Sequence, residues 1–101
     1  MKSNRNKKFA LLWKSGGYII GADWVVAKHY LKSINSRIGL IEISNQLIYS
    51  IKDNSGGSWQ ACRAIKRNSN HTINRQNALR DYFYSYLLTN QSNFTIIELK
   101  N

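Results

Sequence analysis

Cations are the side chains of this sequence best placed to do chemistry. Fifteen Lys and Arg face five Asp and Glu. From Met1 to Ala22 there are Lys2, Arg5, Lys7, Lys8 and Lys14 and no acid. From Asn54 to Arg80 there are Arg63, Lys66, Arg67, Arg75 and Arg80, again with no acid. Ten of the fifteen cations therefore lie in two windows where no sequence neighbour neutralises them. A formal charge of +10 on 101 residues makes a compact chain repel itself, and a polyanionic partner relieves that repulsion. Clustered cations with a basic isoelectric point are the electrostatic footprint of nucleic-acid binding. A merely solubilising surface would not require this segregation.

Other chemistries have less to build on. His29, His71 and Cys62 lack metal-ligand spacing, so no metal site and no cofactor is expected. Cys62 is read as a structural thiol and His29 as a surface or half-buried residue. The five acids stand singly, which leaves no paired carboxylates for acid–base work or Mg²⁺. Gly16-Gly17 and Gly56-Gly57 are turns, without the spacing of a phosphate-cradling loop. His71 and Arg75, one helical turn apart, would be the base and phosphate clamp of a toxin-like ribonuclease. That is one alternative; a small DNA-binding regulatory module is another. The main expectation is a protein without enzymatic activity or a small-molecule substrate.

The elements that must carry these cations follow from pattern. One small domain is expected, since the length leaves no room for two and 43% hydrophobic residues suffice for one core. No run approaches the ~20 apolar residues of a membrane span, and Phe9 to Trp13 is too short for a signal sequence. A single Cys fits a reducing compartment. Residues 1–8 read as a flexible basic arm preceding a domain over 9–101. Phe9 to Trp13 reads as a strand, with a Gly-rich connection after it. Asp23 stands where a helix N-cap belongs. Trp24, Ala27, Leu31 and Ile34 then recur at helical spacing, with Lys28 and Lys32 on the other side, predicting a helix over 23–34.

Leu40 to Ser44 and Gln46 to Lys52 read as a hairpin, because Asn45 tolerates left-handed backbone angles. Asp53 to Ser58 is a loop. A second helix is predicted to start near Trp59, with Trp59, Cys62 and Ile65 on one face and Arg63, Lys66 and Arg67 over the rest. Its Asn-rich middle, 68–72, is poor helix material. Leu79, Tyr82, Phe83, Tyr86 and Leu87 then resume the helical pattern, with Tyr84 off the apolar stripe as a candidate base-stacking residue. Phe94 to Leu99 is a closing strand. The predicted fold is α+β, a β-α-β-β-α-β sandwich of about four strands with two helices on one face.

The segment Asn77-Ala78-Leu79-Arg80-Asp81-Tyr82-Phe83, with Asn90, Ser92, Phe94 and the strand to Asn101, resembles the C-terminal end of the eukaryotic large-subunit ribosomal protein twenty-two family. Lys8-Phe9 is similar to that family's opening strand, and the basic arm and predicted element order also match. The motif-level likeness spans about 25 C-terminal residues; the rest is topological. The loop after the first helix is reduced to Asn35-Ser36-Arg37, and the second helix is Asn-rich where the family carries Tyr, Leu and Lys. The resemblance implies a shortened, divergent structural constituent of the large subunit of a cytoplasmic ribosome. Its partners would be large-subunit ribosomal RNA and neighbouring ribosomal proteins. The implied RNA contacts are Lys2, Arg5, Lys7, Lys8, Arg63, Lys66, Arg67, His71, Arg75 and Arg80. Arg80 would be in part structural, paired with an acid.

Overall fold

The structure, a computed structural model, describes residues 7–52, 58–65 and 71–100. Lys2, Arg5, Lys66, Arg67, the loop residues 53–57 and the Asn-rich stretch 68–70 lie outside the described residues. The fold class is α+β. In chain order the elements are β1 (Lys8–Trp13), β2 (Tyr18–Gly21), α1 (Asp23–Ser33), β3 (Arg37–Ile43), β4 (Gln46–Lys52), β5 (Ser58–Ile65), α2 (His71–Tyr82) and β6 (Phe94–Leu99). A π-helical turn, Phe83–Leu87, continues α2.

The strands form two antiparallel sheets, ordered β2-β1-β6 and β3-β4-β5. Alternation on β1 sends Phe9 and Leu11 inward, where β6 adds Phe94 and Ile96. Helix α1 covers this face with Val26, Ala27 and Leu31, and α2 with its π turn adds Ala78, Leu79, Tyr82, Phe83 and Leu87. Ile38, Tyr49 and Ile51 bring the second sheet into the same core. One apolar cluster thus joins both sheets and both helices. The helical stripe expected at Leu79, Tyr82, Phe83 and Leu87 is buried as its spacing requires.

Two strands depart from the expected order. The Gly-rich connection after β1 is a tight turn: Gly16 N–H donates to the Trp13 carbonyl at 3.0 Å, and Gly16 and Gly17 have φ of 107° and 89°. It returns the chain as β2, too short to show a period of two. The second departure is larger. Residues 58–65 were expected to be helical, yet they pair with β4 from Lys52↔Ser58 to Leu47↔Ile65. The register jumps from Ile48↔Ala64 to Ser50↔Gln60, leaving β5 with two more residues than β4 across that interval. Such an irregularity breaks strand alternation. In the sequence Trp59, Cys62 and Ile65 stand at intervals of three, which imitates a helix. Among the described residues the strand count therefore rises from four to six, and α2 spans His71–Tyr82 with no helical segment in 58–65.

The predicted turns hold. Ile43↔Gln46 closes a two-residue hairpin loop in which Ser44 and Asn45 have φ of 50° and 65°, as a primed turn requires. Helix α1 ends in a Schellman arrangement. Asn35 sits at φ 59°, its N–H donating to the Lys32 carbonyl at 3.1 Å, while Ser36 N–H reaches the Leu31 carbonyl at 2.8 Å. Asn35-Ser36 is thus the hinge that turns α1 directly into β3.

Candidate nucleic-acid interface

Helix α1 sets the first part of the site. Lys28 and Lys32 are four residues apart and exposed, flanking the buried Ala27 and Leu31. Like charges at that spacing cost an isolated helix about 0.2–0.5 kcal/mol. The turn at Asn35-Ser36 brings Arg37, the first residue of β3, to the same end of the helix. Across the gap α2 contributes Arg75. These four cations line one cleft of about 630 Å³, together with Asn35, Ser36 and an apolar floor of Leu31, Ile38 and Leu79. The floor side chains are buried by the core, so the cleft is anchored to the most rigid part of the molecule. Among the described residues no acid lines it.

Arg75 is held in place. Its Nη1 donates to the Ile38 carbonyl at 3.2 Å, tying α2 to the start of β3. A guanidinium has five N–H donors in a rigid fork, so most remain to face the cleft. Beneath it, burial pushes the Tyr49 phenol above its ordinary range, and the Arg75 cation works in the opposite direction. Ser36, buried, donates its hydroxyl to the Lys52 carbonyl and fixes the turn against β4. The cleft lies at the C-terminal end of α1, whose dipole would disfavour an anion. The Schellman bonds cover the Leu31 and Lys32 carbonyls and blunt that effect.

Arg80, five residues along α2, has a different environment. Its Nε donates to Asp23 Oδ1 at 3.2 Å and its Nη1 to Asn77 Oδ1 at 2.8 Å. Asp23 is fully buried. It does not cap α1 from outside, since Ala22 holds the N-cap position without a side-chain bond. As the first helical residue Asp23 accepts from Trp24 N–H at 2.6 Å and receives Arg80. The expected cap is thereby corrected to a clasp between the two helices. Tyr84 is also corrected. The π turn, closed by Leu88 N–H to the Phe83 carbonyl at 3.0 Å, sets its ring edge-on to Phe83 and Phe9 at 5.0 and 6.3 Å. Its hydroxyl is buried and faces Asp23. Burial first, then the Asp23 carboxylate, pushes its pKa up to about 12. The approach falls short of a formed hydrogen bond, because neither the Tyr84 hydroxyl nor Asp23 Oδ2 has a partner in bonding geometry. Tyr84 is not available to stack on a base.

The remaining expected contacts are scattered. Lys7 pairs with Glu98 at 3.7 Å, both exposed, a geometry worth at most about 1 kcal/mol. Lys8 is exposed at the start of β1. That strand end pairs with Gly21, just before the N-terminus of α1, whereas the cleft is at its C-terminus. Arg63 falls in β5, and His71 opens α2 one turn before Arg75. Of the expected contacts among the described residues, the cleft gathers Arg75 alone. Lys28, Lys32 and Arg37 were missed because they lie between the two acid-free windows, in a stretch where Asp23 and Glu42 mask them in any charge count.

No family model, no curated protein and no solved structure matches the chain. Among the described residues no His, Cys, Asp and Glu side chains cluster as metal ligands, and no helix is long and apolar enough to cross a membrane. The geometry of the cleft therefore carries the functional argument.

Proposed function

We propose that this protein binds RNA without catalysing a reaction on it, through the cleft between α1, β3 and α2. The observation that carries the reading is the convergence of Lys28, Lys32, Arg37 and Arg75 from three elements onto one concavity without a described acid. Helix-end preference accounts for Lys32 alone, which lies in the last turn of α1; it gives no reason for Arg37 or Arg75 to join it. Mutual repulsion among four cations is relieved when phosphates enter between them. Arg suits this role because its fork pairs with phosphate oxygens two at a time.

Large-subunit ribosomal RNA is the RNA we favour, with neighbouring ribosomal proteins as further partners in the cytoplasm. This part rests on the likeness of residues 77–83, and the six-stranded order departs from the four-stranded one that likeness implies. Lys8, Arg63 and His71, with the N-terminal arm carrying Lys2 and Arg5, would extend the contact.

Filter binding to a folded ribosomal RNA fragment across a salt series tests the reading. Four phosphate contacts give a slope of log affinity against log salt of about −3 to −4. Salt-independent binding, or tighter binding to duplex DNA in competition, removes it. Sedimentation of cell extract after a high-salt wash tests the ribosomal assignment separately: the chain should travel with the large subunit.

A further inference from the structure

The shape of the cleft suggests what part of an RNA it takes, an argument that rests on the reading just given. A purely electrostatic phosphate site needs only a convex or flat basic surface, since backbone phosphates lie on the outside of a duplex. Here the cations stand around a hollow. Its volume of about 630 Å³ lies within the roughly 300–1,000 Å³ range of sites that enclose a small molecule. Its base is apolar: Leu31, Ile38 and Leu79 lie beneath the rim of Lys28, Lys32, Arg37 and Arg75. Asn35 and Ser36 complete the wall, and Asn35 offers an exposed amide with both donor and acceptor groups.

We infer that the cleft holds an unpaired nucleotide of the RNA, its base set against Leu31, Ile38 and Leu79 and its flanking phosphates held by the four cations. A paired base cannot enter, because its faces are covered by stacking and its edge by its partner. A splayed base from a loop or bulge has a free face and edge, and single-stranded segments are where proteins read RNA most often. The floor discriminates between the two, because only an unpaired base has a free apolar face that it can take out of water. The rim does not discriminate, because both forms carry phosphates. Arg75 joins the two functions: it is one of the rim cations, and it is anchored on the carbonyl of Ile38, a floor residue.

The test uses the full chain with ¹³C-methyl labels on Leu and Ile, titrated with the dinucleotide pUpU and, separately, with inorganic phosphate. A 12-nucleotide single-stranded RNA and a 12-base-pair RNA duplex are compared by fluorescence anisotropy. pUpU is expected to move the methyl resonances of Leu31, Ile38 and Leu79, and inorganic phosphate to leave them in place. The single strand is expected to bind about tenfold tighter than the duplex, the ratio given by burying roughly 60 Å² of base on the floor. Lys32→Ala and Arg37→Ala, both at exposed positions, should weaken both RNAs alike and preserve that ratio. Equal or tighter duplex binding with unmoved methyls overturns the inference and leaves the RNA-binding reading standing. Methyl shifts that inorganic phosphate reproduces overturn it as well, since the floor would then report an anion alone. Binding of neither RNA ends both.

Discussion

Arg75 and Arg80 stand five residues apart on one helix and do opposite things. Arg80 turns inward to a fully buried carboxylate and closes α2 against the start of α1. Arg75 reaches a backbone carbonyl and otherwise faces cations and an open cleft. A buried charge without its partner is costly, so Arg80 is required by the fold. An exposed cation beside other cations contributes little to the fold, and we propose that it serves a partner outside it. The contrast shows that a basic helix is not uniformly a binding surface: the acid on the facing element decides which cation is available.

Truncating each arginine is the sharpest way to break this comparison. Arg80→Ala strands Asp23 without its cation and should cost about 3 kcal/mol, the lower end for a broken buried pair because the Arg80 side chain is 23% exposed. Urea unfolding measures it, and a loss below about 1 kcal/mol would put Arg80 with the surface cations. Next in size is the hinge that aims Arg37 at the cleft. Asn35→Ala places an ordinary side chain at φ 59° and should cost about 1–2 kcal/mol, while Asn35→Gly should match or exceed the parent protein in a thermal melt.

Arg75→Ala should cost only about 1 kcal/mol, the value of the one hydrogen bond it makes among the described residues. It should also reduce the salt slope of RNA binding by about 1. A larger stability loss with RNA binding unchanged would reverse the assignment of the two arginines. The smallest effect belongs to Tyr84. Its folded-state pKa is raised from 10.0 to about 12, so the neutral phenol is favoured in the folded protein. That contribution is complete below pH 10 and is lost as pH rises toward 12. Tyr84→Phe should flatten the fall in stability over this window, and phenolate absorbance should lose its component near pH 12 in that variant.

Much of the scaffold was legible in the sequence. The α1 stripe, the hairpin at Ser44-Asn45 and the buried face of Leu79, Phe83 and Leu87 all follow from local periodicity and turn chemistry. The strand at 58–65 was not legible, because its irregular pairing with β4 is a property of the neighbouring strand as much as of its own residues. The site was partly legible. Net charge pointed to a polyanion, and Arg75 was named. The windows that concentrated charge along the chain did not concentrate it in space.

By itself the sequence determined the charge excess, the α+β class, the hairpin turn that needs a left-handed Asn45 and most of the core. Those depend on residue type and on neighbours a few positions away. The tertiary structure alone decided which cations are neutralised and which are free to meet a ligand. Asp23 and Arg80 are 57 residues apart, and Arg75 meets Ile38 across 37. Electrostatics acts through distance in space, and only the packing of α1 against α2 and β3 sets those distances.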